Sequence, residues 1–420
     1  MYELRIDTQE LKKALDVLGT VINKKMALPI LQDVCIRFNR EKKIFTLMAG
    51  NSEQWLQIDA VKSAGDGQKE MKPWMFLDED DKNSPFEAVC ISLSAMKEAF
   101  ALLPTMPVRA FINLDTNSMR VDYGKGEFTM PVNEDGTPDT YPEIPVVCEK
   151  GGEQREGITP LIKFSIEATR LLPLIAAARC CSANDELRPV MNTVCLDCFH
   201  DHVVVVASDG HTLYKKVLDT GMGWTIYGEY SATDSAKLLL PATALSPLVK
   251  ALATQETLTL TADTNRIRIE SGDGSVIMTT VTIEGKYPNY ESVIPKDQKY
   301  TLLLDCREMM ASLRRITIFS AEASNMCILR REDDQIILSA ADVDMGRNAS
   351  EQVAIISGEG DDMQDGFEIG CKIASLQKLL DCISTDNLKM ELSESSKPIL
   401  LKEDDKLSGL TLLIMPMLVQ

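Results

Sequence analysis

A helix-like stretch followed by a strand-rich stretch recurs along this 420-residue chain, twice in each of three consecutive blocks. No constraint on the fold is stronger, because a repeated unit must bury its apolar face against copies of itself. The first halves align as PILQDVCI (29–36), PVMNTVCL (189–196) and a fainter NMCIL (325–329). A charged turn and a second apolar strand follow each: IFTLMAGN, VVVVASDG and IILSAADV. The second halves open on short amphipathic segments, SLSAMKEAFALL (92–103), PATALSPLVKALA (241–253) and CKIASLQKLLDCI (371–383). Their apolar residues recur at helical spacing. The strands VRAFINL, LTLTADTNRIRIES and LKMELSE follow. The spacing predicts helices over 8–25, 94–103, 166–180, 242–253, 305–319 and 372–383. In block two Ala168-Thr169 with Pro173 parallels Ala242-Thr243 with Pro247. That pattern reads as Thr at the N-cap and Pro in the first turn, where its missing N–H has no partner to lose.

TYPEIP (140–145) and a Gly/Glu-rich linker, EKGGEQREG (149–157), close block one, and KYPNYESVIP (286–295) closes block two. Domains are therefore expected at 1–148, 158–297 and 298–420, each of ordinary size. The stretches 63–84 and 358–366 read as inserted surface loops. The apolar runs are too short and too charged for a signal peptide or a membrane span. A soluble, cytoplasmic protein with no membrane partner is expected.

A net charge of −19 argues at first sight against nucleic acid. The distribution argues otherwise. The six predicted helices hold 13 of the 44 basic residues and only 7 of the 63 acidic ones. If the helices share one side, that side is positive within a negative body and attracts a phosphate polyanion locally.

Eleven cysteines, an odd number with no secretory signal, point to free thiols in a reducing compartment. Cys35, Cys195 and Cys327 fall at equivalent strand positions and read as small core residues. Cys195 and Cys198 make a lone CxxC with no second pair, and strand alternation puts them on opposite faces, so no metal site is expected. Cys180 and Cys181 read as packing residues at a helix end. His200 and His202 read as solvated residues of the turn FHDHV. Ser208, Asp209 and His211 could suggest a nucleophile with its base. However, Asp-Gly is a turn signal, and Gly50-Asn51 occupies the same place in block one. No phosphate-loop, dinucleotide or zinc-protease motif occurs, and neither a cofactor nor a catalytic site is expected.

LRPVMNTVCL, VVASDGHTL, GKYPNYESVIP and the terminal MPM, in this order and spacing, resemble the bacterial DNA sliding clamps, the family of the DNA polymerase III beta subunit. ALPILQDVCI is similar to the family's N-terminal motif. The resemblance runs the length of the chain. It implies an α+β fold of three consecutive clamp domains, each two helix-plus-sheet repeats. Such a chain forms half of a closed ring with helices inside and sheets outside. It further implies a non-catalytic processivity factor, a head-to-tail homodimer that encircles double-stranded DNA without sequence specificity. In that reading Ile318 and Phe319 belong to the dimer interface. Lys25 matches a basic position near DNA. Lys12, Lys24, Arg170, Arg179, Lys250, Arg314 and Arg315 join it as DNA-facing candidates by helix placement alone.

The resemblance also implies a peptide pocket for short linear motifs of the replicative polymerase, the clamp loader and repair proteins. Carried over position by position, it comprises Met191 with the turn residues Ser208, Gly210, His211, Thr212 and Leu213. Pro288, Ser292 and Val293 supply a second wall, and Leu413, Met415, Pro416 and Met417 a third. Flexible Met side chains suit a groove with several clients. Thr212 and Ser292 stand where the family often has Arg, so a less basic pocket is expected. Two other classes fit parts of the chain: a hydrolase built on Ser208, Asp209 and His211, and a repeat scaffold that binds proteins but not DNA.

Overall fold

In this computed structural model, the described residues are 2–22, 28–39, 44–59, 74–76, 88–133, 141–142, 162–199, 201–219, 225–226, 235–359 and 366–419. They group into two compact units. One comprises Met1–Leu172, Trp224–Glu229 and Thr243–Thr282; the other comprises Pro173–Gly223, Tyr230–Ala242 and Ile283–Gln420.

Among the described residues six α-helices stand close to the expected places: α1 Thr8–Leu18, α2 Leu93–Ala101, α3 Ala168–Ala178, α4 Ala242–Leu252, α5 Cys306–Thr317 and α6 Ile373–Leu380. Strand ends cap several of them. Asp7 Oδ1 accepts from the amides of Gln9 and Glu10 at 2.9 and 3.1 Å. Asp305 Oδ1 accepts from Glu308 N at 2.7 Å at the start of α5. These caps satisfy donors that a helix start leaves open. α1 buries Leu11, Ala14, Leu15 and Leu18, a three-four spacing that makes one apolar stripe.

Two expectations about the helices need correction. The first helix ends at Leu18 rather than at 25, with Gly19 as its C-cap. Lys24 and Lys25 lie outside the described residues. In α3 and α4 the threonines are not caps. Each is the second helical residue, and Pro173 and Pro247 sit inside the helix rather than in its first turn. A proline there removes one intrahelical hydrogen bond.

The first unit holds two antiparallel sheets. One is five-stranded and ends on Ser118–Asp122 followed by Glu127–Pro131. The other is nine-stranded. Its order is Thr225–Ile226, Ile162–Glu167, Thr257–Ala262, Arg266–Ser271, Val276–Val281, Gln54–Asp59, Ile44–Gly50, Asp33–Asn39 and Ala88–Ser92. The second unit holds one twelve-stranded sheet. From Ala236–Pro241 it runs through Thr193–Cys198, His202–Ser208, Thr212–Asp219, Leu410–Ile414, Ile399–Glu403, Asn387–Leu392, Tyr300–Asp305, Arg347–Glu359, Gln335–Asp342 and Met326–Glu332 to Glu368–Lys372.

Distant parts of the chain meet in these sheets. Gln54–Asp59 pairs with Val276–Val281, and Thr212–Asp219 pairs with Leu410–Ile414. Burial alternates along Arg266–Ser271, as a sheet with one core face requires. Thr193–Cys198 is buried at every residue.

The repeat is legible down to single hydrogen bonds. Asn51 Oδ1 accepts from the amides of Glu53 and Gln54, both at 2.8 Å. Asp209 Oδ1 accepts from His211 and Thr212 at 2.8 and 2.6 Å. Asp263 Oδ1 accepts from Asn265 and Arg266, both at 2.7 Å. One turn is thus built three times, because an Asx side chain can take over two backbone donors.

Candidate functional site

The carried-over pocket residues lie in the second unit. Three stretches meet there. The turn from Ser208 to Leu213 enters the strand Thr212–Asp219, whose neighbour is Leu410–Ile414, with Leu213 opposite Leu413. Beyond that strand the Met415 amide still donates to the His211 carbonyl at 2.8 Å. The Met417 amide donates to the Gly370 carbonyl at 2.7 Å, so the tail is held at two points. Leu213 and Leu413 pack in one core cluster with Tyr287 and Tyr290. Those tyrosines lie on either side of Pro288, and Tyr290 opens the 3-10 turn Tyr290–Val293 that carries Ser292 and Val293.

Above this floor apolar surface is left open. Met415 is 39% exposed and Val293 51%, while Pro416 and Met417 are half-buried. Met191 is buried, with its neighbour Val190 packed on the same cluster. Thr212 is buried and hydrogen-bonds Cys181, so its side chain offers no polar group to a ligand. Ser292 is exposed and donates to the Asn289 carbonyl at 2.7 Å. Neither position supplies a positive charge, as the sequence implied.

The Ser208–Asp209–His211 group is built as a turn. Ser208 Oγ donates to the Thr212 carbonyl at 2.8 Å, and Asp209 spends its Oδ1 on two amides. Gly210 takes φ +91°, which a side chain resists. A catalytic set would instead join hydroxyl, imidazole and carboxylate to one another. His202 also departs from expectation. It opens a strand, stacks on Phe199 with ring centroids 4.5 Å apart, and bonds Asp201 through Nδ1 at 2.6 Å. His200 lies outside the described residues.

The cysteines of the strands are core, as expected. Cys35, Cys195, Cys198 and Cys327 are fully buried. Burial pushes the thiols of Cys195 and Cys198 up. Among the described residues no cluster of His, Cys, Asp and Glu is placed to hold a metal. Cys180 does not fit the packing expectation. Cys181 is buried, but Cys180 is only half-buried and touches Cys382. No sequence signal announced Cys382 as its neighbour, 202 residues away.

Arg170, Arg179, Lys250 and Arg314 are exposed. Lys12 donates to the Leu103 carbonyl at 2.6 Å. Arg315 forms a two-pronged pair with Glu351, both contacts at 2.8 Å. That pairing raises the guanidinium's proton affinity and lowers that of Glu351. Ile318, at the C-terminal end of α5, is 68% exposed and Phe319 37%, so neither is an interior core residue. Among the described residues no helix is long and apolar enough to cross a membrane.

Comparison with known proteins places these features in a family. Residues 165–289 match the DNA polymerase III beta subunit, central domain, and residues 291–418 match its C-terminal domain. A beta sliding clamp of Synechocystis sp. is 25% identical over 289 residues, spanning 66% of this chain and 68% of that relative. The beta sliding clamp of Pseudomonas aeruginosa is 22% identical over 416 residues, 98% of each chain. The beta subunit from DNA polymerase of Streptococcus pyogenes shares the fold, with a TM-score of 0.82 at 17% identity, over 99% of this chain and 100% of that one.

Proposed function

Because the chain belongs to the DNA polymerase III beta subunit family, the bacterial sliding clamps, we propose that it is a processivity factor that works as a homodimeric ring. Two chains close head to tail around duplex DNA, slide along it and tether the replicative polymerase. Each chain contributes three clamp domains, at 1–148, 158–297 and 298–420.

The pattern of sheet edges carries this reading. In block one the third strand of the first half, Gln54–Asp59, pairs with the third strand of the second half of block two, Val276–Val281. In block two the corresponding strand, Thr212–Asp219, pairs with Leu410–Ile414 from the second half of block three. The same rule leaves two strands over. Glu127–Pro131 is the third strand of the second half of block one and, among the described residues, pairs on one side only. In the first half of block three, residues 347–354 pair on one side with Gln335–Asp342. Each is the partner that the rule assigns to the other, on a second chain. Repeating that contact closes a ring and removes both exposed edges. Ile318 and Phe319 lie on the block that carries the second edge and add apolar area to the joint.

Duplex DNA then passes through the ring along its helices. Arg170, Arg179, Lys250 and Arg314 offer phosphate contacts that read no sequence, as sliding demands. Lys24 and Lys25 join them in this reading. Lys12 and Arg315 take part only by leaving their protein partners. The open apolar floor around Met415, Met417, Val293 and Pro288 receives an extended peptide from the polymerase, the clamp loader or a repair protein, held by a few apolar anchors.

The test is retention on DNA. With a clamp loader present, the protein stays on nicked circular DNA and runs off once the circle is cut open. Equal retention on both forms is incompatible with a ring. Sedimentation at about twice the chain mass checks closure separately.

A further inference from the structure

Three thiols outside the pocket floor meet at one point of the second unit. Cys180 Sγ lies 3.6 Å from Cys181 Sγ and 3.6 Å from Cys382 Sγ. Cys180 follows α3, in a 3-10 turn that spans Arg179–Cys181. Cys382 follows α6, its Sγ 3.4 Å from the Lys378 carbonyl and 3.9 Å from that of Ala177. Cys180 and Cys382 are half-buried, whereas Cys181 is buried. These two differ from the strand cysteines, which are sealed in the core.

We propose that Cys180 and Cys382 form a redox-active thiol pair that reacts with small disulfides of the glutathione class and closes to an intramolecular disulfide. The Cys180 thiolate attacks one sulfur of the small disulfide. The S–S bond breaks, one thiolate leaves, and Cys180 carries a mixed disulfide. Cys382 gives its proton to solvent and attacks the Cys180 sulfur, expelling the second thiolate. Both released thiolates take up protons. The protein's two thiols are oxidised by two electrons, and the small disulfide is reduced to two thiols.

The surroundings assign the roles. Donation from the S–H groups of Cys181 and Cys382 holds the Cys180 thiol well below its ordinary range, with help from the Lys378 ammonium. Burial and, less strongly, Asp209 work against this, as do the carbonyl ends of α3 and α6. The Cys382 thiol is pushed up by its bond to Cys180, by burial and by Asp381. Tyr214 beside the cluster stays a neutral phenol, its proton held chiefly by burial. Cys180 is therefore the attacking group and Cys382 the resolving one. Cys181 is excluded as the resolving group because adjacent Cα atoms lie only about 3.8 Å apart, and a disulfide wants about 4.4–6.8 Å.

The test uses the full chain with oxidised glutathione at pH 7, mapped by mass spectrometry. The wild type yields a Cys180–Cys382 link that dithiothreitol reverses. Cys382→Ser and Cys382→Ala, both checked for native circular dichroism, stop at a glutathione adduct on Cys180, and Cys180→Ser gives neither product. Alkylation of Cys180 falls less steeply from pH 7 to pH 5 than that of an ordinary thiol, which slows about 100-fold over that range. A Cys180–Cys181 link, an unmodified wild type, or an ordinary pH dependence at Cys180 overturns the proposal. Each of these readouts is independent of ring closure, so either idea can fail alone.

Discussion

The Tyr290 phenol donates a 2.7 Å hydrogen bond to Asp197 Oδ2, across 93 residues of sequence. The same oxygen takes the Lys237 ammonium at 3.2 Å, and that ammonium also sits 5.1 Å from the Tyr290 ring centre. Burial and the acceptor together push the phenol's proton affinity up, so it stays a donor at neutral pH. One buried network thereby anchors the turn that carries Ser292 and Val293. Tyr290→Phe keeps the ring and deletes the donor, leaving a buried carboxylate short of a partner. The expected cost is about 1–3 kcal/mol, read as a lower urea midpoint with an unchanged slope. An unchanged midpoint assigns the anchoring to packing alone.

Glu403 gives stability a defined acid limit. Burial alone would raise its carboxyl. Hydrogen bonds from the Ser384 side chain and amide, from Ser408 and from Lys216 outweigh it and hold the group at about 2. The folded state therefore binds this proton less tightly than the unfolded chain does, whose Glu titrates near 4.3. The stabilisation is complete above that value and is lost as the pH falls towards about 2, amounting to about 3 kcal/mol. Glu403→Gln is expected to cost about 2 kcal/mol at pH 7, with the difference from wild type shrinking to nothing by pH 2. A mutant deficit that persists at pH 2 assigns the loss to shape rather than charge.

Repetition makes most of the architecture legible in the sequence. Cys35, Cys195 and Cys327 fall in equivalent strands because the same inward position recurs, and each is fully buried. Asp209 reads as a turn because Asn51 occupies its place, and both spend a side-chain oxygen on two amides. Contacts between remote segments set what the sequence hides. Arg315 looks like a free cation in sequence, yet Glu351, 36 residues on, occupies its guanidinium. Cys180 looks like a helix-end packing residue, yet α6 brings Cys382 to it. Pro173 and Pro247 mislead because local propensity places proline in a first turn, while α3 and α4 begin at Ala168 and Ala242, ahead of the threonines read as caps.

Ile318 and Phe319 give a test of assembly that spares the fold. Both are exposed in the single chain, so a charge there costs the monomer little. At a closed joint the same charge is buried without a partner. Ile318→Asp with Phe319→Asp is expected to sediment at the mass of one chain, while the wild type sediments at about twice that. The double mutant should keep its circular dichroism spectrum and lose retention on circular DNA. A mutant that still sediments as a dimer moves the interface elsewhere.

Gly370 tests the pocket without touching its surface. A Cβ added there would stand 2.9 Å from the Met417 carbonyl oxygen and 3.1 Å from Val419 Cγ2. The backbone bond from Met417 holds the tail against this residue, so Gly370→Ala must push the tail away. If the tail forms one wall of a peptide site, moving it weakens peptide binding as surely as removing its side chains. Met415→Ala and Met417→Ala each delete apolar area that an anchor residue would cover. About 1–2 kcal/mol per side chain corresponds to a loss of roughly tenfold in affinity. Gly370→Ala is expected to match that loss for a polymerase-derived peptide in fluorescence anisotropy. All three variants should sediment as the wild type does, because the tail is remote in sequence from the edge strand at 127–131 and the atoms nearest the Cβ added at Gly370 belong to Met417, Val419 and Met326. If Gly370→Ala binds normally while the methionine variants fail, the side chains act without the backbone anchor. If all three bind normally, the tail is no part of the site.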